Sequence, residues 1–340
     1  MINFPEAIFL QGIGMKTLSA KLVIFSEQIL TKRKIRIYKK KKKQQAKNPI
    51  LDWLEAFLWA AMVVLLINQY LFQAYQIPSG SMKDTLLIKD RIFVNKLLYG
   101  PELLPGMAKV PGLMIPQRGE VIIFENPTYL SQGPVFDIMQ RVIYMLTLSM
   151  VDIDKDENGN PKPHFLIKRQ VSQDGDVYRQ FQGNLFLKAR GESEFMAEED
   201  FKTVSGIEYG NKRMIDSAEY PVFRAYGEAY SLREEGLAIS ADMRSSASKI
   251  DSVVYKDPLE IDMWRQKKKF EVQPFNTAAS ARWRRAAETG YFIPEGWVLP
   301  MGDNRDNSND GRYFGPVPKK KILGKAMFKY WPAVRVGIIR

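Results

Sequence analysis

An apolar stretch at residues 53–72, WLEAFLWAAMVVLLINQYLF, dominates the hydrophobic pattern of the chain. Its length is about the 20 residues that a helix needs to cross the hydrocarbon core of a bilayer. Residues 56–67 within it carry no charged or amide side chain. The pattern predicts a transmembrane helix at residues 51–73. A buried core helix is the alternative, because an uncharged run of twelve residues would also fit one.

Residues 1–30 show a weaker helical pattern. Leu18, Leu22, Phe25 and Ile29 recur at helical spacing, but charged residues interrupt the segment and argue against a second span. Both an amphipathic helix at the membrane surface and an ordinary short cytoplasmic helix fit this pattern.

After residue 73 the pattern changes to short segments rich in β-branched and aromatic residues, which predict strands at 90–98, 120–124, 165–167, 184–187 and 328–339. These segments predict a mainly β, antiparallel domain over residues 74–340. Residues 178–290 read as a mixed α/β insertion, with helical composition at 231–244 and 276–287.

Positive charge is concentrated just before the apolar stretch. The net charge of the chain is +12, and ten Lys and Arg residues fall within residues 32–47. The positive-inside rule places this arm, and with it residues 1–50, in the cytoplasm and everything after residue 73 outside. A solvated tail or a nucleic-acid contact is the alternative, but beside a membrane span the arm is better explained by attraction to anionic lipid, with no nucleic-acid partner.

The chain has no cysteine and one histidine. It therefore has no disulfide, no thiolate zinc site and no thiol nucleophile, and a multi-histidine metal site is impossible. Nucleophilic chemistry would need Ser or Thr, activated by Lys or a carboxylate.

Three short segments could carry such chemistry. Residues 78–82, PSGSM, place two serines around a glycine directly after the membrane stretch. Lys168 follows three apolar residues, and desolvation would favour its neutral form, a possible general base. Residues 301–318 contain charged and amide side chains between apolar flanks, which indicates buried ion pairs that brace a site.

Together these segments resemble bacterial type I signal peptidases, the membrane-anchored Ser/Lys proteases. The matching motifs are QIPSGSM at 76–82, RGEVIIF at 118–124, IKR at 167–169 and GDNRDNS at 302–308. The resemblance extends from residue 53 to the end of the sequence, except over residues 178–290. It implies an antiparallel catalytic sheet of the signal-peptidase type, with neither a metal nor a cofactor.

The resemblance also implies roles for single residues. Ser81 corresponds to the nucleophile and Lys168 to the general base, while the Ser79 hydroxyl and the Ser81 backbone N–H would form the oxyanion hole. Ser308 corresponds to the serine that orients the lysine. The supporting polar network would be Arg169, Asp303, Arg305, Asp310 and Arg312, and the small substrate pockets would be lined by Ile77, Pro78, Met82, Leu86 and Ile167.

The chain departs from the family pattern in places. The usual Met-x-Pro-Thr-Leu has Asp84 in place of proline, Gly311 stands where serine is frequent, and the segment 168–176 differs from the usual Lys-Arg-x-x-Gly-x-Pro-Gly-Asp. No catalytic group is lost, but turn geometry and substrate preference are affected.

Two other patterns in the sequence suggest different chemistry. His164 could share a strand face with Lys168 and pair with Ser81, but no neighbouring residue in the sequence fits the orienting carboxylate of a triad. The acidic triplet at 152, 154 and 156 resembles the start of a calcium loop, but the required glycine and glutamate are missing, so a polar hairpin turn at 158–159 is expected.

The expected function is cleavage of signal peptides from exported preproteins after small residues of the Ala-x-Ala type. The enzyme would lie in the bacterial cytoplasmic membrane, with a cytoplasmic N-terminus and an external catalytic domain. The alternatives are a Ser/Lys processing peptidase with a single dedicated substrate and a catalytically inactive, membrane-tethered binding protein.

Overall fold

The computed structural model describes residues 23–39, 49–103, 108–148, 150–157, 159–275 and 288–340. The chain divides into two compact units, and the division falls after Met62, inside the long apolar helix. The domain boundaries predicted at residues 50, 73, 178 and 290 stay predictions.

Helices dominate the described part of the N-terminal unit. Residues 23–39 form helix α1, which includes Phe25 and Ile29. Leu18, Leu22 and the second half of the basic arm, residues 40–47, lie outside the described residues. Helix α2 (Pro49–Tyr70) begins with proline at its first position and has neither Gly nor Pro afterwards. Within the described ranges, it is the one helix whose length and composition suffice to cross a membrane.

An eight-stranded antiparallel sheet forms the centre of the larger unit, Val63–Arg340. Its strand order is β1 (Phe72–Gln76), β2 (Arg91–Asn95), β11 (Ile322–Trp331), β3 (Val121–Glu125), β4 (Phe165–Gln173), β9 (Trp297–Met301) and β10 (Val317–Pro318), with β12 (Gly337–Ile338) paired to β11. The predicted mainly β, antiparallel fold is confirmed.

Strand β3 shows why the sheet is buried on both faces. Val121 and Ile123 pack into one apolar cluster, and Ile122 and Phe124 pack into another. Side chains alternate between the faces of a strand, so a continuous apolar run indicates a strand that is covered on both sides. β4 pairs with β3 and β9, and this central position brings residues 167–169 into the core.

A second, smaller antiparallel sheet is built from β7 (Met196–Ala197), β6 (Asn184–Lys188), β5 (Val177–Phe181) and β8 (Tyr291–Phe292), in that order. The helices of this region are α4 (Glu198–Ser205), α5 (Tyr220–Glu234), α6 (Ala241–Ser248) and α7 (Pro258–Val272). Two further helices lie in connections of the large sheet: α3 (Pro134–Leu146), between β3 and β4, and the short α8 (Gly311–Phe314).

Two of the elements predicted from the sequence are interrupted in the structure, so these predictions were wrong. The helix expected at 231–244 is two helices, because α5 ends before Gly236, which has a positive φ of 67°, and the Ser240 hydroxyl caps α6. The strand expected at 328–339 is interrupted at Pro332, which cannot donate to a ladder. The helix predicted at 276–287 and Asn158 of the predicted turn lie outside the described residues.

Candidate active site

Ser81 lies in a single 3-10 turn, Gly80–Met82, shortly after β1. The Asn304 side chain donates to the Gly80 carbonyl at 2.9 Å, and the Asn304 backbone N–H donates to the Ser81 carbonyl at 3.0 Å. These two bonds join the turn to the GDNRDNS loop at 302–308. A Cβ on Gly80 would contact only Asn307 Nδ2, at 3.8 Å, so packing within the protein does not account for this glycine.

Lys168 points its amine at Ser81. Its Nζ lies 2.7 Å from Ser81 Oγ and 3.0 Å from the Ile167 carbonyl oxygen, and the lysine is only 3% exposed. Burial lowers the pKa of Lys168 to about 8, although the carboxylates of Asp310 and Asp303 act in the opposite direction. A large fraction of the amine is therefore neutral near pH 8 and can accept a proton from the hydroxyl that it contacts.

The two other predicted catalytic serines differ in their surroundings. Ser79 Oγ lies 3.4 Å from Ser81 Oγ on the exposed side of the turn. Ser308 is buried near Asp310, but in the part of the chain that the structure describes its Oγ forms no hydrogen bond of ordinary geometry. The bond from Ser308 to Lys168 that the resemblance implies is thus not formed here, and the orienting role of Ser308 stays a prediction.

Arg169 and Asp303 form a fully buried bidentate ion pair. Arg169 Nε and Nη2 donate to the two Asp303 oxygens at 2.8 and 2.6 Å, and both side chains have an exposed fraction of 0%. Thr85 Oγ1 donates to the same carboxylate at 2.5 Å. Arg169 follows Lys168 on β4, Thr85 follows the Ser81 turn, and Arg169 Nη1 donates to the Gly119 carbonyl at 2.5 Å, so the pair connects the segments of all four family motifs.

Asp310 and Arg312 bind the GDNRDNS loop at Gly302 and Arg305. Asp310 accepts a bond from the Gly302 N–H at 2.9 Å and one from Arg312 Nε at 2.9 Å, and Arg312 also donates to the Arg305 carbonyl. Burial opposes ionisation of Asp310, but the Arg312 guanidinium outweighs it and holds the pKa of that carboxyl below its usual value.

Gly302 is required by close packing. A Cβ there would lie 2.2 Å from Ser308 Oγ and 2.5 Å from the Ser81 carbonyl oxygen. Any side chain at this position would therefore displace the serine turn or the loop.

Sequence reasoning missed the partner of Arg305. Both Arg305 Nη atoms donate to the two Glu198 oxygens, and both residues are buried. Tyr209 donates to Glu198 at 2.7 Å and Asn211 at 3.2 Å, which fixes the carboxylate. Glu198 lies 107 residues from Arg305 in the predicted insertion, in an acidic stretch without any motif, so no sequence signal could have identified it.

The insertion also contacts the loop through its backbone. The Lys212 N–H donates to the Asp303 carbonyl at 2.6 Å, and the Arg305 N–H donates to the Lys212 carbonyl at 3.0 Å. Asp306 accepts bonds from the backbone N–H of Met214 and Ile215. Residues 198–215 therefore form one wall of the loop that supports the Ser81 turn.

The predicted substrate-pocket residues fall into two groups. Ile77, Met82 and Leu86 are buried in one apolar cluster, with Ile167 packed against it, whereas Pro78 is exposed. Their role in substrate binding stays a prediction.

His164 faces away from this chemistry. Its Nε2 lies 3.1 Å from Asp154 Oδ2, and its ring packs on Tyr129 with 4.1 Å between centroids. The sequence-based argument that no carboxylate accompanies His164 was therefore wrong. The contact of Ser81 Oγ is nevertheless with Lys168, and burial lowers the pKa of His164.

Asp84 occupies the family's proline position with a φ of 102°. The proline ring fixes φ near −65°, so the backbone of this chain excludes proline here. The departure from the family pattern is therefore accompanied by a different local backbone.

Comparison with known proteins identifies the family. A family profile described as signal peptidase, peptidase S26, matches residues 50–223 and 226–331. Signal peptidase I of Aquifex aeolicus is 28% identical over 82% of this chain and 82% of its own length. The corresponding enzymes of Haemophilus influenzae and Pseudomonas fluorescens are each 28% identical, over 82% and 86% of this chain and 68% and 77% of their own lengths. The chain belongs to the signal peptidase family, peptidase S26.

Proposed function

We propose that this chain is a signal peptidase I, a membrane-anchored serine endopeptidase that removes signal peptides from exported preproteins by a Ser81/Lys168 dyad. The observation that carries the proposal is the buried Lys168 amine, whose Nζ lies 2.7 Å from Ser81 Oγ and whose pKa burial lowers to about 8. A neutral amine next to a serine hydroxyl is the requirement for general-base activation without histidine.

In the proposed reaction, Ser81 Oγ attacks the scissile carbonyl and its proton passes to neutral Lys168. The oxyanion of the tetrahedral intermediate accepts hydrogen bonds from the Ser79 hydroxyl and the Ser81 N–H. Lys168 then delivers the proton to the departing amine as the C–N bond breaks, which leaves an acyl-enzyme. A water molecule, deprotonated by Lys168, hydrolyses the ester and restores Ser81.

Substrate selection follows from the residues around the turn. Ile77, Pro78, Met82, Leu86 and Ile167 would line two small pockets for the first and third residues before the scissile bond, as the family resemblance implies, and small pockets would select cleavage after Ala-x-Ala. The polar network around Arg169, Asp303 and Arg305 acts by positioning the turn and the loop.

The proposed topology puts the basic arm in the cytoplasm, where it attracts anionic lipid, and the catalytic unit on the external face. Enzyme and signal peptide would then share one membrane surface, which raises their effective concentration.

The test is cleavage of several unrelated exported preproteins by the purified full chain and by its Ser81→Ala variant. The proposal expects cleavage after the signal peptide of most of them by the parent and of none by the variant. Cleavage of a single preprotein would indicate a dedicated processing peptidase. Binding without cleavage by the parent would indicate an inactive binding protein.

A further inference from the structure

Helix α3 exposes an apolar stripe, although Met145 of the same helix is buried. Val135, Ile138, Met139 and Leu146 are exposed, with Val135 80% accessible. These positions repeat at helical spacing and form one stripe. The residue that is most deeply buried in the helix is a polar one, Gln140, at 2%.

The polar face is fixed by specific partners. Gln140 Nε2 donates to Asp152 at 2.9 Å, and Arg141 binds the carboxylates of Glu102 and Glu125, each at 3.1 Å. Asp137 accepts a bond from Ser131 at 2.6 Å. Rotating the helix to bury its apolar stripe would break all of these interactions, so the outward orientation of the stripe is built into the fold.

The segment that carries the stripe contains few charged residues. Asp137 and Arg141 are the only charged residues in the sequence from 130 to 151, and both have ionic or hydrogen-bonded partners. Leu130, Met150 and Val151, which flank the helix, are exposed as well. An exposed apolar surface of this kind on a folded protein marks a site of contact with another molecule or with a membrane.

The end of α2 is connected to α3 through Glu102. Gln69 Nε2 donates to the Glu102 carbonyl at 2.9 Å, and Tyr70 Oη donates to the Leu103 carbonyl at 2.8 Å. The side chain of the same Glu102 holds Arg141 of α3. A single residue therefore links α3 to the point where the apolar helix ends, which is the level of the lipid headgroups if α2 spans the membrane.

We propose that α3 lies in the external interface of the same membrane, with the stripe of Val135, Ile138, Met139 and Leu146 inserted among the lipids. Continuity with the end of α2, and a segment 130–151 in which both charged residues have partners within the protein, favour lipid over a second protein. Because α3 connects β3 to β4, this second attachment would set the orientation of the strand that carries Lys168. The inference relies on the proposed span of α2 but not on the proposed catalytic roles.

The test uses single-cysteine variants of the full chain, which contains no cysteine of its own. Ile138→Cys and Val135→Cys probe the stripe. Val204→Cys is the matched control, because Val204 is 75% exposed on a helix of the insertion, and Met62→Cys probes α2. Each variant is labelled with bimane and reconstituted into vesicles of phosphatidylethanolamine and phosphatidylglycerol. Quenching is measured with nitroxide lipids and, separately, with aqueous iodide.

We expect nitroxide lipid to quench the labels at 135 and 138 several-fold more than the label at 204, with the opposite order for iodide. Iodide quenching at 138 equal to that at 204 would overturn the inference. Protection at 138 from both quenchers would overturn it in favour of a protein cover. The label at 62 is measured independently. If lipid does not quench it, the proposed span fails and the inference falls with it, whereas quenching at 62 alone means that only the inference is wrong.

Discussion

At the scale of single residues, Lys168 is the group whose environment matters most. Its proton must leave before it can serve as a base, and burial brings its pKa to about 8. Below this value the neutral fraction falls about tenfold per pH unit, so kcat/KM should rise with pH and level off above about pH 8. Preprotein cleavage by the purified full chain across pH 6 to 10 measures this. His164→Ala is the control and should leave the profile unchanged. A profile that is flat through pH 8 would contradict the assignment of the base.

Replacing Lys168 by arginine keeps the positive charge but removes the base, because guanidinium stays protonated. Turnover should fall by a factor on the order of 10³ in Lys168→Arg, similar to the loss in Ser81→Ala, and the double variant should be little worse than either. Single-turnover cleavage with folded protein measures these losses. Near-normal turnover by Lys168→Arg would rule out proton transfer through this residue.

Gly302 tests how closely the loop and the serine turn are packed. A methyl group there would collide with Ser308 Oγ and the Ser81 carbonyl, so Gly302→Ala should lower the free energy of unfolding by about 1–3 kcal/mol and remove most activity. Urea denaturation and preprotein cleavage measure the two effects. Gly337→Ala is the matched control, since a Cβ there would meet nothing within 4 Å. Equal free energies of unfolding of the two variants would show that the loop shifts to accommodate the methyl group without loss of stability.

The residues near Ser81 could be predicted because the motifs place them within short segments of chain. Lys168, Arg169 and Asp303 were all identified from sequence, and the structure brings all three to the Ser81 turn. The Asp154 carboxylate beside His164 was missed, because nine residues of chain separate the two and no spacing rule predicts the contact.

At the scale of secondary-structure elements, α4 matters through its first residue. Glu198 is the buried partner of Arg305, so Glu198→Ala should leave an uncompensated buried guanidinium and lower the free energy of unfolding by about 3–5 kcal/mol. Urea denaturation of the full chain in detergent measures this. Glu199→Ala on the same turn removes an ion pair whose carboxylate is 64% exposed, and it should cost less than about 1 kcal/mol. Similar losses in the two variants would mean that the buried Arg305–Glu198 pair contributes no more to stability than the exposed pair of Glu199.

Helix α3 illustrates a limit of pattern reading. A stripe of apolar residues at helical spacing normally marks the face that packs on the core. In α3 the same stripe is exposed, because Gln140 and Arg141 find partners on neighbouring segments. Periodicity identifies a face but not what covers it.

At the scale of the whole molecule, protease protection tests the proposed membrane topology directly. The ten basic residues before α2 predict that a tag at residue 2 is protected when protease is added to intact spheroplasts, and that a tag at residue 340 is digested. Lysed spheroplasts, in which both tags should be cut, serve as the control. The reverse protection pattern would place Ser81 in the cytoplasm and remove the basis of the proposed function.

The parallel contact between Lys212 and Asn304 has a consequence for how this protein can be altered. An enzyme shortened by removal of the insertion would lose Glu198, the backbone donors to Asp306 and the strand-like neighbour of the GDNRDNS loop in one step. The insertion is therefore not a detachable accessory. Moving the motifs into a smaller relative, or deleting the insertion from this chain, would require new partners for the GDNRDNS loop. The insertion and the large sheet can therefore be redesigned only together.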